Sequence, residues 1–149
     1  MDFGIDMPIE QAAGYEAPFA YVKEHVYPER QKARQTSARE KWWIYWNTRP
    51  QLREALTPLS RYLATPRVSK HRVCAWLEAD VIPDMRLIAF AREDDYFFGL
   101  LHSRPHEVWA LEASPRHGVG NDPTYNHGDC FETFPFPWPL GEEPGTRRR

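Results

Sequence analysis

The chain has 149 residues, 42% of them apolar and 14% aromatic, and a formal net charge of −2. That length suits one domain with its own core, and the apolar share excludes a disordered chain. Fourteen prolines and eight glycines argue against a plain helix bundle or a long repeat array. No stretch reaches the roughly 20 apolar residues of a membrane span. Cys74 and Cys130 are the only cysteines, and the amino end lacks a signal-peptide pattern, so free thiols in a reducing, cytoplasmic setting are expected.

The small net charge hides a strong segregation. Residues 1 to 29 carry one lysine against six acids, residues 30 to 72 carry eleven lysines and arginines against two acids, and residues 73 to 149 carry seven arginines against thirteen acids. The middle block is therefore +9 between flanks of −5 and −6. A basic centre of this kind directs its field toward a polyanion even in a slightly acidic protein.

In chain order, residues 1–7 show little pattern and read as a flexible lead-in. From Pro8 to Tyr27 apolar residues recur at helical spacing, interrupted by Gly14 and Pro18, which predicts two short helices. Pro28 suits the first turn of a new helix, expected to run some twenty residues to Trp46, with most of its terminal aromatics (Trp42, Trp43, Tyr45, Trp46) anchored in the core. Gln51–Ala64 reads as a further helix, bent or divided at Pro58.

The stretch RYLATPRVSKHR, Arg61–Arg72, is the focus of the chain. It places Arg61, Arg67, Lys70 and Arg72, with His71 beside them, in twelve residues without an acid. The Thr65-Pro66 step disfavours helix at Thr65, and the pattern after it suits a strand. The cations are thus expected on a loop that leads into a strand, an arrangement matched to a sugar-phosphate backbone. A solvated, salt-bridged loop is the plainer reading of such a charge run.

Arg72–Glu78 and Met85–Ala91 read as two strands joined in a hairpin-like pair. Asp94 and Asp95 favour a helix start, and Pro105 kinks that helix or starts another through Trp109 and Leu111. Ser114–Asp129 is polar and turn-forming, a candidate recognition loop. Phe131–Trp138 reads as an extended segment whose rings pack on the domain, and residues 140–149 as a disordered basic tail. The fold class is α+β, with N-terminal helices packed on a small mixed β-sheet.

Catalytic patterns are missing. A base-modifying amino-methyltransferase needs an Asn/Asp-Pro-Pro-aromatic grip on its extruded base, and Asn121-Asp122-Pro123-Thr124 lacks the second proline and the aromatic. None of the four lysines follows an acid by two residues, as a metal-dependent nuclease site requires. His102, His106, His127 and Cys130 form a conceivable zinc set, read here as surface or capping residues. Neither Ser103 nor Cys74 lies in a nucleophile motif. No catalytic or metal-ligating residue is assigned.

The segments YEAPFAYVKEHVYPERQK, REKWW, LSRYLATPRVSKHR, DDYFFGLLHS, HEVWAL, GVGNDPTY and FETFPFPWP, in that order, resemble the carboxy-terminal specificity region of MmeI-like DNA methyltransferases of the type IIL restriction-modification group. The resemblance runs from about Met7 to Pro139, and implies a DNA target-recognition domain over residues 8–139. It also implies that adenine-N6 methylation and S-adenosylmethionine belong to a catalytic domain outside this chain, sometimes accompanied by a nuclease. This chain alone is then no enzyme and holds no cofactor. Its partners are double-stranded DNA, entered through the major groove, and the methyltransferase domain in cis or in trans.

Carried over by position, the resemblance puts Arg67, Lys70, His71 and Arg72 on DNA backbone or base edges, and Arg61 and Ser69 of the same stretch are candidate contacts beside them. It makes Arg116, Asn121, Asp122 and Thr124 the candidate base-reading loop, where arginine suits guanine, asparagine adenine and aspartate the cytosine amino group. The chain departs from its relatives' Tyr-Thr-Pro-Thr-Thr-Thr-like run over Thr124–Cys130. The alternative is a protein-interaction module, or a specificity subunit that joins a separate methyltransferase.

Overall fold

The computed structural model describes residues 2–117 and 122–143, with only the backbone of His117. Asn121 and Arg147–Arg149 lie outside the described residues. The chain divides into two compact units, Met1–Leu52 and Arg53–Arg149.

The first unit is helical: α1 (Ile9–Ala13), α2 (Glu16–His25), α3 (Tyr27–Gln31) and α4 (Thr36–Glu40); the division between the units falls within α5 (Pro50–Leu56). Gly14 closes α1 as its C-cap, so the two short helices expected before Tyr27 are α1 and α2. The lead-in is tied down: Phe3, 2% exposed, meets Tyr15 and Phe19 edge-on. The single helix expected from Pro28 to Trp46 is instead α3, α4 and a turn. Thr36 and Ser37 compete with helix by local hydrogen bonding, and Arg39 fixes the break by donating to the carbonyls of Ala33 and Arg34 and to the Thr36 hydroxyl. Trp42 is buried against Phe19, Tyr27 and Trp43. The Trp43 indole donates to the Met7 carbonyl at 2.9 Å, whereas Tyr45 and Trp46 are exposed.

The second unit is built round β1 (Arg61–Pro66), flanked by β2 (Ala75–Glu78) and β3 (Leu87–Phe90) in the order β2-β1-β3. Both pairings are antiparallel, with Leu63 opposite Trp76 on one side and Phe90 on the other. The class is α+β as expected, and the three-stranded sheet is antiparallel rather than mixed. The predicted hairpin is corrected too: β2 and β3 exist but are separated by β1, a segment expected to be the end of a helix. Tyr62, Leu63, Ala64 and Thr65 are all buried, and a strand covered on both faces loses the alternation that identifies strands.

Two helices that follow the sheet complete this core. Asp94 caps α6 (Asp95–Leu101) by accepting from Phe97 N at 2.8 Å, and Ser103 caps α7 (Arg104–Ala113), which Pro105 helps to start. Leu63, Phe90, Phe97, Leu101, Ala110, Tyr125 and Cys130 form one buried cluster. Phe131, Phe134 and Phe136 pack their rings into it and on one another. Arg92 bridges Asp94 and Glu143, so the start of the expected tail is held down at Glu143. No helix among the described residues is long and apolar enough to cross a membrane.

Candidate nucleic-acid interface

Beyond Pro66 the chain leaves the sheet but keeps strand-like partners. Arg67 N donates to the Arg86 carbonyl at 2.7 Å, and the Arg67 carbonyl accepts from Tyr125 N at 2.6 Å. Val68 bridges Thr124 in antiparallel fashion, and Ser69 N donates to the Pro123 carbonyl at 3.2 Å. The far side of that segment pairs again: β5 (Asp122–Pro123) lies along β4 (Arg116–His117), with Arg116 opposite Pro123. Neighbouring backbones in such an arrangement run about 5 Å apart. The basic loop and the candidate base-reading loop, some fifty residues apart in sequence, are therefore side by side: the Arg86 and Arg67 segments adjoin, and the Asp122–Tyr125 segment lies between Arg67 and Arg116.

Arg72 holds this loop in shape. It is 9% exposed, and it donates to the carbonyls of Pro66 at 2.8 Å and Ser69 at 3.2 Å, with its guanidinium carbon 5.3 Å from the centre of the Tyr125 ring. Burial pushes its pKa down from the usual arginine value, the expected response of a cation removed from water. Its expected role in touching DNA is corrected: a side chain bonded inward to two carbonyls is an internal brace. Ser69 is likewise engaged locally, its hydroxyl donating to the His71 carbonyl at 2.9 Å.

Tyr125 fastens the other side. Its hydroxyl lies 3.1 Å from His106 Nε2, and His106 Nδ1 lies 2.9 Å from the Leu101 carbonyl. Since a carbonyl only accepts, Nδ1 carries the proton and Nε2 accepts from the tyrosine. Burial lowers the His106 pKa and raises that of Tyr125, so the pair is uncharged at neutral pH and anchors the 122–125 segment without placing a charge in the core.

Arg61 does not join the group. It stands at the opposite end of β1, roughly 20 Å along the strand direction from Arg67 at about 3.3 Å per residue. There it pairs with Asp95 at 2.9 Å, donates to the Glu93 carbonyl at 3.2 Å and covers the Trp76 ring at 3.9 Å. It stands apart from Arg67, Lys70 and His71 and has a carboxylate partner of its own.

Arg67, Lys70 and His71 remain, all exposed and without a carboxylate partner among the described residues. Arg116 is also exposed, while Asp122 and Thr124 are half-buried. The Thr124 hydroxyl is buried with no hydrogen-bond partner. One cation escaped sequence reasoning. Arg86, whose side chain is 90% exposed and 3.8 Å from Asp84, faces the same cleft as Arg67, a space of ≈ 660 Å³ lined by Pro66, Arg67, Val68, Met85, Arg86, Leu87 and Thr124. Nothing local marks Arg86; only the pairing of β1 with β3 brings it there.

The zinc set has no counterpart in this geometry. Cys130 lies 3.4 Å from the Ser114 hydroxyl, His106 is bonded as above, and no three His, Cys, Asp or Glu side chains among the described residues are grouped to hold an ion. No family model, curated protein or solved structure matches the chain.

Proposed function

We propose that this chain is a sequence-recognition domain of an MmeI-like, type IIL adenine-N6 DNA methyltransferase. It binds duplex DNA, with methyl transfer and S-adenosylmethionine belonging to a catalytic domain outside it. The observation that carries the reading is the division of labour on one loop: Arg72 is turned inward as a brace, which leaves Arg67, Lys70 and His71 exposed and, among the described residues, without a carboxylate partner beside the Asp122–Thr124 segment. Fixed cations of this kind match a phosphate chain, and the adjoining polar side chains stand where base edges are read.

Fluorescence anisotropy with a duplex selected from a random pool tests this. Arg67→Ala and Lys70→Ala lower affinity for every duplex, whereas Asp122→Ala changes which sequence is selected, with about 1 to 3 kcal/mol at each well-made base contact. Unchanged affinity in both cation variants removes the assignment.

The exposed Tyr21, Tyr45 and Trp46 of the first unit favour a second reading, a subunit that associates with a separate methyltransferase through protein contacts. Co-purification with such an enzyme, without duplex binding at low salt, selects it.

A further inference from the structure

We propose that the cleft between the end of β1 and the start of β3 reads the 5-methyl group of thymine, with Val68 and Met85 as its apolar contacts and Arg67 and Arg86 on the flanking phosphates. The inference rests on the DNA reading above and names the base feature that this face selects.

The lining dictates the class of occupant. Pro66, Val68, Met85 and Leu87 supply apolar walls, and the polar members of the lining are Arg67, Arg86 and Thr124. Val68 is 43% exposed and Met85 68% exposed, so both regain free energy when an apolar group covers them. The occupant must then be apolar at its tip and anionic on its flanks. In the major groove of DNA the group that projects carbon among donors and acceptors is the thymine methyl, and phosphates border it on both sides.

The remaining features agree. The Arg86–Asp84 contact is long and solvent-exposed, a weak pairing that leaves Arg86 available to a phosphate. The Arg67 backbone is fixed by bonds to Arg86 and Tyr125, so the two cations flank the apolar floor at a set spacing.

Replacing thymine by uracil removes this methyl while Watson–Crick edges and phosphates stay. With the full chain and a duplex selected from a random pool, uracil at one or more thymine positions weakens binding about fourfold per buried methyl. In Val68→Asn and in Met85→Gln, both surface changes, the thymine-to-uracil ratio falls toward one and the salt dependence is unchanged. Equal binding of thymine and uracil duplexes at every position overturns the inference and leaves the DNA reading intact. A selected site without thymine does the same, as does a uracil penalty that persists undiminished in both variants. Absence of salt-dependent binding to any duplex overturns the DNA reading and this inference together.

Discussion

Two regions carry the basic middle of the chain, and they use their cations in opposite ways. In residues 30–41 three of the five cations are engaged within the chain: Arg39 on the Ala33 and Arg34 carbonyls, Arg30 on the Ile44 carbonyl, Lys32 on Glu29. The carbonyls that take the two arginines belong to the connections on either side of α4, Ala33 and Arg34 before it and Ile44 after it. In residues 66–72 the neighbouring strands satisfy much of the backbone and Arg72 takes two more carbonyls. Among the described residues the Arg67 and Lys70 side chains then have no hydrogen-bond or ion-pair partner. Charge density is similar in the two regions, but three of five cations are bonded within the first and only Arg72 of three within the second.

The largest effect should come from removing the brace. Arg72→Ala orphans two carbonyls and opens a void beside Tyr125, and is expected to cost about 2 to 4 kcal/mol in urea unfolding, followed by the ordered second unit. It should also weaken duplex binding more than any other single cation change, because the loop loses its shape. A loss below about 0.5 kcal/mol would mean that Arg72 does not hold the loop.

Next is the anchor on the other side. Tyr125→Phe leaves His106 Nε2 without its donor and is expected to cost about 1 to 3 kcal/mol. The same pair sets an acid limit. The folded pKa of His106 lies below its ordinary value of 6.5, so as pH falls through that value the unfolded chain takes up a proton that the native state refuses. Stability is then independent of His106 well above this pH and declines below it, at up to about 1.4 kcal/mol per pH unit, until the folded pKa is reached. Urea melts from about pH 7.5 down to 5 check this, and His106→Gln should flatten the decline.

The exposed cations sharpen the contrast. Arg67→Ala and Lys70→Ala should each change stability by less than about 0.5 kcal/mol and lower duplex affinity several-fold, while Arg39→Ala destabilises the first unit and leaves affinity alone. The smallest effect belongs to Arg61→Ala. Its ion pair and its place over Trp76 are together worth about 1 kcal/mol, and duplex affinity should not move. A fall in affinity equal to that of Arg67→Ala would return Arg61 to the binding face.

Local chemistry made part of this legible. The acidic start of α6, Pro105 at the head of α7, and the apolar runs of β2 and β3 are written in a few adjacent residues each. What escaped depends on distant partners. Tyr62–Thr65 is buried on both faces, so its run of apolar residues carries no period, and without β1 the two outer strands were left to pair with each other. Arg72 and Arg67 look alike in a basic string; only the position of Tyr125 and the carbonyls of Pro66 and Ser69 turns one inward. Arg86 joins Arg67 only once the sheet order β2-β1-β3 is known, and no spacing rule relates residues that meet across a ladder.

The central claim is that Arg67 and Lys70 meet phosphates. It is tested most directly by measuring duplex affinity against salt concentration for the native chain and for the Arg67→Ala, Lys70→Ala double variant. Each phosphate contact contributes about 0.9 to the slope of log affinity against log salt, so the double variant should show a slope shallower by about 1.8. Identical slopes, or binding that does not respond to salt, would contradict the account.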